Sequence, residues 1–396
     1  MRVFFVCQRV PFPPDRGDKI TTYNEVRHLA TKHEVHVFCL ADGREDLVNA
    51  SELRVRTASV TAIPISAVHS KVRALRALFG TEPLSVAMLR EPTLHAAIRL
   101  RFADLKPDVI MVYSSNVAQF AEPFACTRRI MQFAELDSLK FRDYAMRSRP
   151  PMQWVYALEA RRLLNYERRI ASTFSHSLVC TDMEAHDFHA QIPDVLVSTV
   201  RNGVDLEYFR SADVPRQPAS LIFTGVMNYA PNVDAVYWFC TEILPLIRKE
   251  VPQATLTICG QRPSKAVQRL GRSTGVTVTG AVPDVRSYLD GAQVFVAPLR
   301  LARGIQNKLL EAMAMGLPVV TSRAARRATA IPDGEGIMAA DGPDEFAAHV
   351  VRLLRDSPYR ATMGRKARAA MERSYTWAAQ LEILDSVLAD VMSKAG

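Results

Sequence analysis

Six consecutive residues, Arg303-Gly304-Ile305-Gln306-Asn307-Lys308, lie between an apolar run that ends at Leu299 and a helix-forming run over 309–315. A glycine lets another molecule approach the backbone closely. A helix start leaves N–H groups unpaired at the positive end of its dipole. Joined by the ammonium of Lys308, these groups suit an anion, above all a phosphate. The same residues also describe an ordinary strand-to-helix turn with a solvated lysine, so the elements around them must decide.

Those elements alternate. Near-continuous apolar runs at 2–10, 34–41, 107–115, 128–136, 175–182 and 195–203 are separated by helical patterns, the longest over 151–174. A polar, proline-bearing stretch at 205–220 interrupts the series, which restarts with "SLIFTGVMN" and continues through "ATLTICG", "VTVTGAV", "AQVFVAPL" and "LPVVTS". Runs of this kind are parallel strands covered on both faces. The pattern predicts two doubly wound α/β domains facing across a cleft. Their expected extents are 1–210 and 211–375, with a terminal helical segment, 376–396, free to pack back on the first domain. The last helices are expected at 343–354 and 359–392.

In open α/β sheets, ligands gather beyond the carboxyl ends of the strands. Glycines stand at those ends in both halves: Gly17, Gly225, Gly260, Gly280 and Gly304. Five at equivalent points indicate a shared ligand cleft. None belongs to a GxGxxG pattern, which argues against a dinucleotide.

Composition narrows the classes further. The 396 residues are 48% hydrophobic and 23% charged, as in an ordinary globular chain, and the net charge is +9. No apolar run approaches the roughly 20 residues of a membrane span. The first apolar run lacks a signal-type cleavage site and reads as a strand, so a cytoplasmic protein is expected. Six cysteines without a CxxC pair give neither a disulfide framework nor a zinc site. His186 and His189 are three apart but lack a third ligand, and no metal or cofactor is expected. Basic residues outnumber acidic ones eight to three between Lys140 and Arg169. No nucleic-acid signature accompanies them. A stripe of Val68, Val72, Leu75, Leu78 and Phe79 with Lys71, Arg73 and Arg76 beside it has the pattern of an interfacial helix. It also fits a helix packed on the sheet. The first reading allows a peripheral position on an anionic membrane surface at the inner face of the cell membrane.

The run "RNGVDLEYF" at 201–209 is similar to the interdomain motif of retaining glycosyltransferases of family 4. "FTGVMNYAPNVDAV", "VTVTGAVPDVRSYL" and "VFVAPLRLARGIQNKLLEAMAMGLPVV" resemble the same family, as does "PFPPDRGDKITTYNEVRHLATKHEVHV" near the amino end. The resemblance is nearest to bacterial sugar transferases of exopolysaccharide gene clusters (those associated with PEP-CTERM systems). It implies the GT-B fold, a nucleoside-diphosphate sugar as donor substrate and a glycan or lipid-linked acceptor. Gly225, Asn228, Gly260, Val282, Gly304, Ile305, Gln306, Asn307, Lys308 and Glu311 fall on the donor side. Lys308 would meet the leaving diphosphate and Glu311 the ribose hydroxyls. Arg303 stands where the family usually has a carboxylate, eight residues before Glu311. The segment after Gly225 lacks the family's usual basic pair, so Arg303 and Lys308 are read as the charge for the diphosphate. Gly17, on the facing domain, is also read as donor-binding, letting its loop approach the sugar phosphate, while Arg16, Asp18, Lys19 and Glu135 stand on the acceptor side. Asp137 either contacts the sugar or acceptor nucleophile, or caps the helix that follows it. A nucleotide-sugar epimerase of similar plan and a non-catalytic sugar-nucleotide-binding subunit are the alternatives.

Overall fold

The computed structural model describes residues 1–393 except 213 and 303. It divides into two compact units, Met1–Val200 with Leu381–Gly396, and Arg201–Gln380.

In the first unit, among the described residues, seven strands form one sheet. They are β1 (Arg2–Cys7), β2 (Glu34–Ala41), β3 (Ser59–Pro64), β4 (Val109–Tyr113), β5 (Arg128–Ala134), β6 (His176–Val179) and β7 (Val197–Thr199). Their spatial order is β3-β2-β1-β4-β5-β6-β7, and every neighbouring pair is parallel. Phe4, Val6, Phe38, Ile110, Val112 and Met131 are buried in its core, beneath helices contributing Leu94, Ile98, Leu163 and Ile170. The helix Met152–Thr173 does more than cover the sheet. Its buried Glu159 accepts from the N–H groups of Leu84 (2.6 Å) and Ser85 (3.0 Å), and its buried Glu167 from that of Ser138 (3.3 Å). Each carboxyl group therefore accepts from N–H groups at the start of a shorter helix, which lack partners within that helix.

The second unit repeats the plan with β8 (Ser220–Thr224), β9 (Thr255–Cys259), β10 (Val276–Gly280), β11 (Val294–Ala297), β12 (Val319–Thr321) and β13 (Ile337–Ala339). Their order is β10-β9-β8-β11-β12-β13, again parallel. Its core holds Ile222, Phe223, Ile258, Phe295, Val296, Val320 and Leu310.

Two strands lie outside the runs read from the sequence. The edge strand β3 buries Val60 and leaves Ser59, Thr61, Ala62 and Ile63 half-covered, so its apolar signal is thin. The strand β13 is only three residues long. The expected final helix over 359–392 is two helices, Ser357–Ser374 and Trp377–Ser393. Between them the Tyr375 carbonyl accepts from the Val204 N–H (2.8 Å), and Thr376 pairs with Val204 as an isolated bridge. Gly203 lies so close to Trp377 that an added Cβ would come within 2.6 Å of its backbone nitrogen. The "NGVD" turn thus occupies the break. From Leu381 on, the last helix belongs to the first unit, where Asp385 accepts from Lys32 (2.5 Å) and pairs with His28 (2.9 Å).

Candidate functional site

Three strands of the second unit end on a shared small-residue platform. Gly225 follows β8 with φ +156°, Gly260 follows β9 with φ +153°, and Gly280 ends β10 with φ +71°. A Cβ on Gly260 would stand 1.7 Å from the Gly225 carbonyl oxygen, so the two loops touch through backbone alone. They are also tied by the Met227 N–H donating to the Gln261 carbonyl (2.8 Å). A side chain at Gly225 would come within 2.6 Å of Asn232 Nδ2 and 2.9 Å of Lys308 Nζ. At Gly225 the missing side chain makes room for these two polar side chains.

Beside this platform the chain leaves β11, passes Gly304 in a left-handed conformation (φ +58°), and enters the helix Asn307–Ala314 at Gln306. The helix therefore begins two residues before the apolar run at Leu309. Leu309, Leu310 and Met313 are buried, while Lys308 and Glu311 are half-buried on its remaining face. Lys308 Nζ donates to Asn232 Oδ1 at 2.5 Å and lies 4.5 Å from the Phe223 ring centroid. Asn232 is oriented by its own Nδ2 donating to the Val226 carbonyl (3.0 Å). Asn307 Oδ1 accepts from Asn202 Nδ2 at 2.8 Å, which links the "NGVD" turn to the helix start. Burial lowers Lys308 to about 7, with Glu311 opposing the shift. Burial likewise raises Glu311 to about 7, against the pull of Lys308. A lysine held beside a neutral amide, an aromatic face and a helix start gains strongly from an incoming anion.

Of the donor-side residues, Gly225, Gly260, Gly304, Ile305, Gln306, Asn307, Lys308 and Glu311 belong to these loops and this helix. Val282, beyond β10, packs against the core of the unit. Asn228 is exposed in the turn before the helix Ala230–Trp238, and Arg303 lies outside the described residues. The asparagine brought to Lys308 is Asn232, one turn further on. Asparagine is a poor helix former, so one placed on the buried side of a helix just after a strand-end glycine was a readable signal. Asn202 lies within "RNGVDLEYF", but its contact with Asn307, 105 positions away, leaves no mark in the spacing.

The first unit arranges its nominated residues differently. Gly17 opens the helix Gly17–Leu29. Asp18 accepts from Arg9 Nη1 (2.7 Å) and Arg16 Nε (2.9 Å). Burial would push Asp18 up, but the two guanidinium groups prevail and hold it below the ordinary carboxylate value. Lys19 pairs with Asp46 (3.2 Å). At the end of β5, Lys140 pairs with Glu135 (3.1 Å) and with Asp137. Burial alone would lower Lys140; Asp137 and Glu135 more than offset it and hold it well above the usual lysine value. Asp137 is the first residue of its helix rather than its cap, a position taken by Leu136, so the capping alternative does not hold. His186 and His189 lie on the helix Asp182–Gln191. Among the described residues no three histidine, cysteine or acidic side chains gather into a metal-binding group. No helix among the described residues is long and apolar enough to cross a membrane.

Two parallel doubly wound sheets define an α/β protein, whose second unit carries a glycine-lined strand-end site beside a helix start. Residues 218–356 match the family described as "Glycosyl transferases group 1". An uncharacterised 44.6 kDa protein in the cps region of Klebsiella pneumoniae is 23% identical over 145 residues, 35% of this chain and 37% of that protein. Glycogen synthase of Mycobacterium tuberculosis is 30% identical over 188 residues, 45% of this chain and 44% of that protein. The chain thus spans less than half the length of either relative. Among solved structures, Anabaena Alr3699/HepE in complex with UDP and glucose superposes with a TM-score of 0.69 at 14% identity, over 98% of this chain and 100% of that one. The fold is GT-B, and the family match lies within the second unit, over residues 218–356.

Proposed function

We propose that the protein is a glycosyltransferase that moves a sugar from a nucleoside-diphosphate donor to an acceptor hydroxyl, with retention at the anomeric carbon. The observation that carries this reading is the Lys308 ammonium, held by Asn232 above the Gly225–Gly260 contact at the start of the helix Asn307–Ala314. The bond from the anomeric carbon to the diphosphate oxygen breaks, a new one forms to the acceptor oxygen, and the acceptor's hydroxyl proton passes to the departing diphosphate oxygen. The departing diphosphate gathers negative charge at that moment, and a cation with helix-start N–H groups stabilises it without reorganisation. Glu311, one turn along, is suited to accept hydrogen bonds from ribose hydroxyls. Retention and the division into donor and acceptor sides rest on the resemblance to family 4. A nucleotide-sugar donor is supported by the UDP and glucose bound to the Anabaena protein. A role in exopolysaccharide or cell-surface glycan assembly is supported by the Klebsiella relative in a cps region. The acceptor would then be a growing glycan or a lipid-linked sugar.

Incubation of the purified protein with a panel of nucleotide-sugars tests the reading. Slow release of nucleoside diphosphate from one donor is expected, and it should vanish with Lys308→Ala. An epimerised donor would point to isomerisation instead. Binding with no turnover, in the presence of candidate acceptors, would make the chain a carrier.

A further inference from the structure

The helix Ala67–Ala77 is oriented against its own polarity. At 3.6 residues per turn, Val68, Val72 and Leu75 fall within about 60° of one another, and Phe79, just past the helix end, continues their line. Ser70 and Ala77, on the opposite side, are the residues it buries. The apolar line is left in water: Val68 is 69% exposed, Val72 41%, Leu75 61% and Phe79 90%. An ordinary surface helix does the reverse.

This orientation is anchored. Ser66 caps the helix by accepting from the His69 N–H (3.4 Å). Arg162, from the helix Met152–Thr173, donates to the carbonyls of Ala77 (2.8 Å), Leu78 (3.2 Å) and Gly80. Arg73, on the inner flank, faces Glu91 at 3.6 Å. The outward flanks carry exposed Lys71 on one side of the apolar line and exposed Arg76 on the other, and no acidic residue occurs between 66 and 80. The basic run from Lys140 to Arg169, which includes the anchoring Arg162, adds exposed apolar side chains of its own: Met146 at 68% and Trp154 at 67%.

We propose that this face docks the protein on an anionic lipid bilayer, with Leu75 and Phe79 entering the acyl boundary and Lys71 and Arg76 meeting lipid phosphates. The side chains stand out in a row rather than lining a groove. A bilayer receives such a row without a shape of its own, and its diffuse negative surface complements cations on both flanks. The inference stands apart from the proposed transfer reaction, because it concerns binding alone.

Co-sedimentation of the full chain with phosphatidylcholine vesicles, with and without phosphatidylglycerol, tests it. Binding is expected to the anionic vesicles at low salt and should weaken as salt shortens the Debye length. The double variant Leu75→Ser/Phe79→Ser should lose roughly tenfold or more in vesicle affinity. Lys71→Ser/Arg76→Ser should lose several-fold, with both variants keeping the parent's circular dichroism and thermal midpoint. Donor hydrolysis measured without lipid should be unchanged in both, so failure of docking and failure of glycosyl transfer are read separately. The proposal is overturned if the parent ignores anionic vesicles, or if Leu75→Ser/Phe79→Ser binds them as well as the parent does. It is also overturned if the parent forms an oligomer that this variant dissolves while neither binds lipid, which would make the face a contact between copies.

Discussion

Charged side chains collect near strand ends in both units, but they are engaged differently. In the first unit each nominated charge already has an opposite one: Asp18 with Arg9 and Arg16, Lys19 with Asp46, and Lys140 with Glu135 and Asp137. In the second unit, Lys308 leans on an amide and an aromatic ring, and its ordinary charge is weakened by burial. A site that satisfies its own charges gains little from an anion, because binding must first break a pair. A cation whose direct contacts are an amide and a ring gains more of the interaction, although Glu311 already supports part of its charge. The contrast supports the proposal that the second unit recognises the donor's diphosphate.

The largest effect should come from Lys308. Removing a group that stabilises charge developing in the transition state costs about 10²–10³ in turnover. Lys308→Ala should show a loss of this order, with the thermal midpoint near that of the parent. Unchanged steady-state kinetics would erase the difference between the units.

Glu311→Gln should raise the donor's KM about tenfold to a hundredfold, the equivalent of one charge-assisted hydrogen bond at about 1.5–3 kcal/mol. The pH profile of kcat/KM sharpens this. Burial brings both Lys308 and Glu311 to about 7. Activity should fall on the acid side as Glu311 takes up a proton, and on the alkaline side as Lys308 loses one. The macroscopic values belong to the pair. In Glu311→Gln the acid limb should disappear. The alkaline limb should move to lower pH, because the carboxylate that supports the ammonium is gone. A profile flat from pH 6 to pH 8 in the parent would remove both groups from the site.

A third test concerns the first unit's interior. Glu25 is buried, accepts from Gln132 Nε2 (3.3 Å), and its Oε2 has no partner among the described residues. Burial raises it from 4.5 to about 8, with the Gln132 bond opposing. The folded state therefore holds the proton more tightly than the unfolded one. Its contribution to stability is complete below about 4.5 and is lost as pH rises through about 8. Glu25→Gln keeps the shape without the ionisation. It should be more stable than the parent by about 1–3 kcal/mol at pH 8–9, the range for relieving a buried unpaired group, and no more stable at pH 5. Denaturant titrations at the two pH values read the difference.

How far the sequence discloses this arrangement depends on how local each feature is. The strand ends at Gly225, Gly260 and Gly304 are legible because apolar runs stop there and glycine follows, and the helix carrying Lys308 and Glu311 is legible from its periodicity. The partners of those residues are not, since Asn232 meets Lys308 across 76 positions and Asn202 meets Asn307 across 105. The split at Tyr375–Thr376 is equally hidden, because its cause is Val204, far back in the chain. For the helix Ala67–Ala77 the stripe is legible and its direction is not. A stripe has the same spacing whether it faces the sheet or water; only the tertiary contacts of Arg162 and Arg73 decide.

The smallest effect is expected at Asp137, and it tests the other half of the comparison. Its carboxylate is bound by Lys140, which also holds Glu135 at 3.1 Å. Asparagine has nearly the same shape, and Lys140 would keep one acidic partner, so its charge would remain compensated. The pair is largely but not wholly withdrawn from water, with side-chain exposures of 27% for Lys140 and 13% for Asp137. Asp137→Asn should therefore cost on the order of 1 kcal/mol of stability, as for a partly screened ion pair. If the carboxylate serves only this cluster, sugar transfer and donor hydrolysis should stay within about fivefold of the parent. A direct part in the reaction would look different. Transfer would fall by about 10² or more at an unchanged thermal midpoint. Donor KM would stay near the parent value if Asp137 met the acceptor, and would rise if it met the donor sugar. Measuring KM for donor and acceptor alongside the thermal midpoint separates the three outcomes. Either of the last two would show that this carboxylate leaves its lysine when substrate arrives, so that pairing in the first unit does not exclude a part in the chemistry.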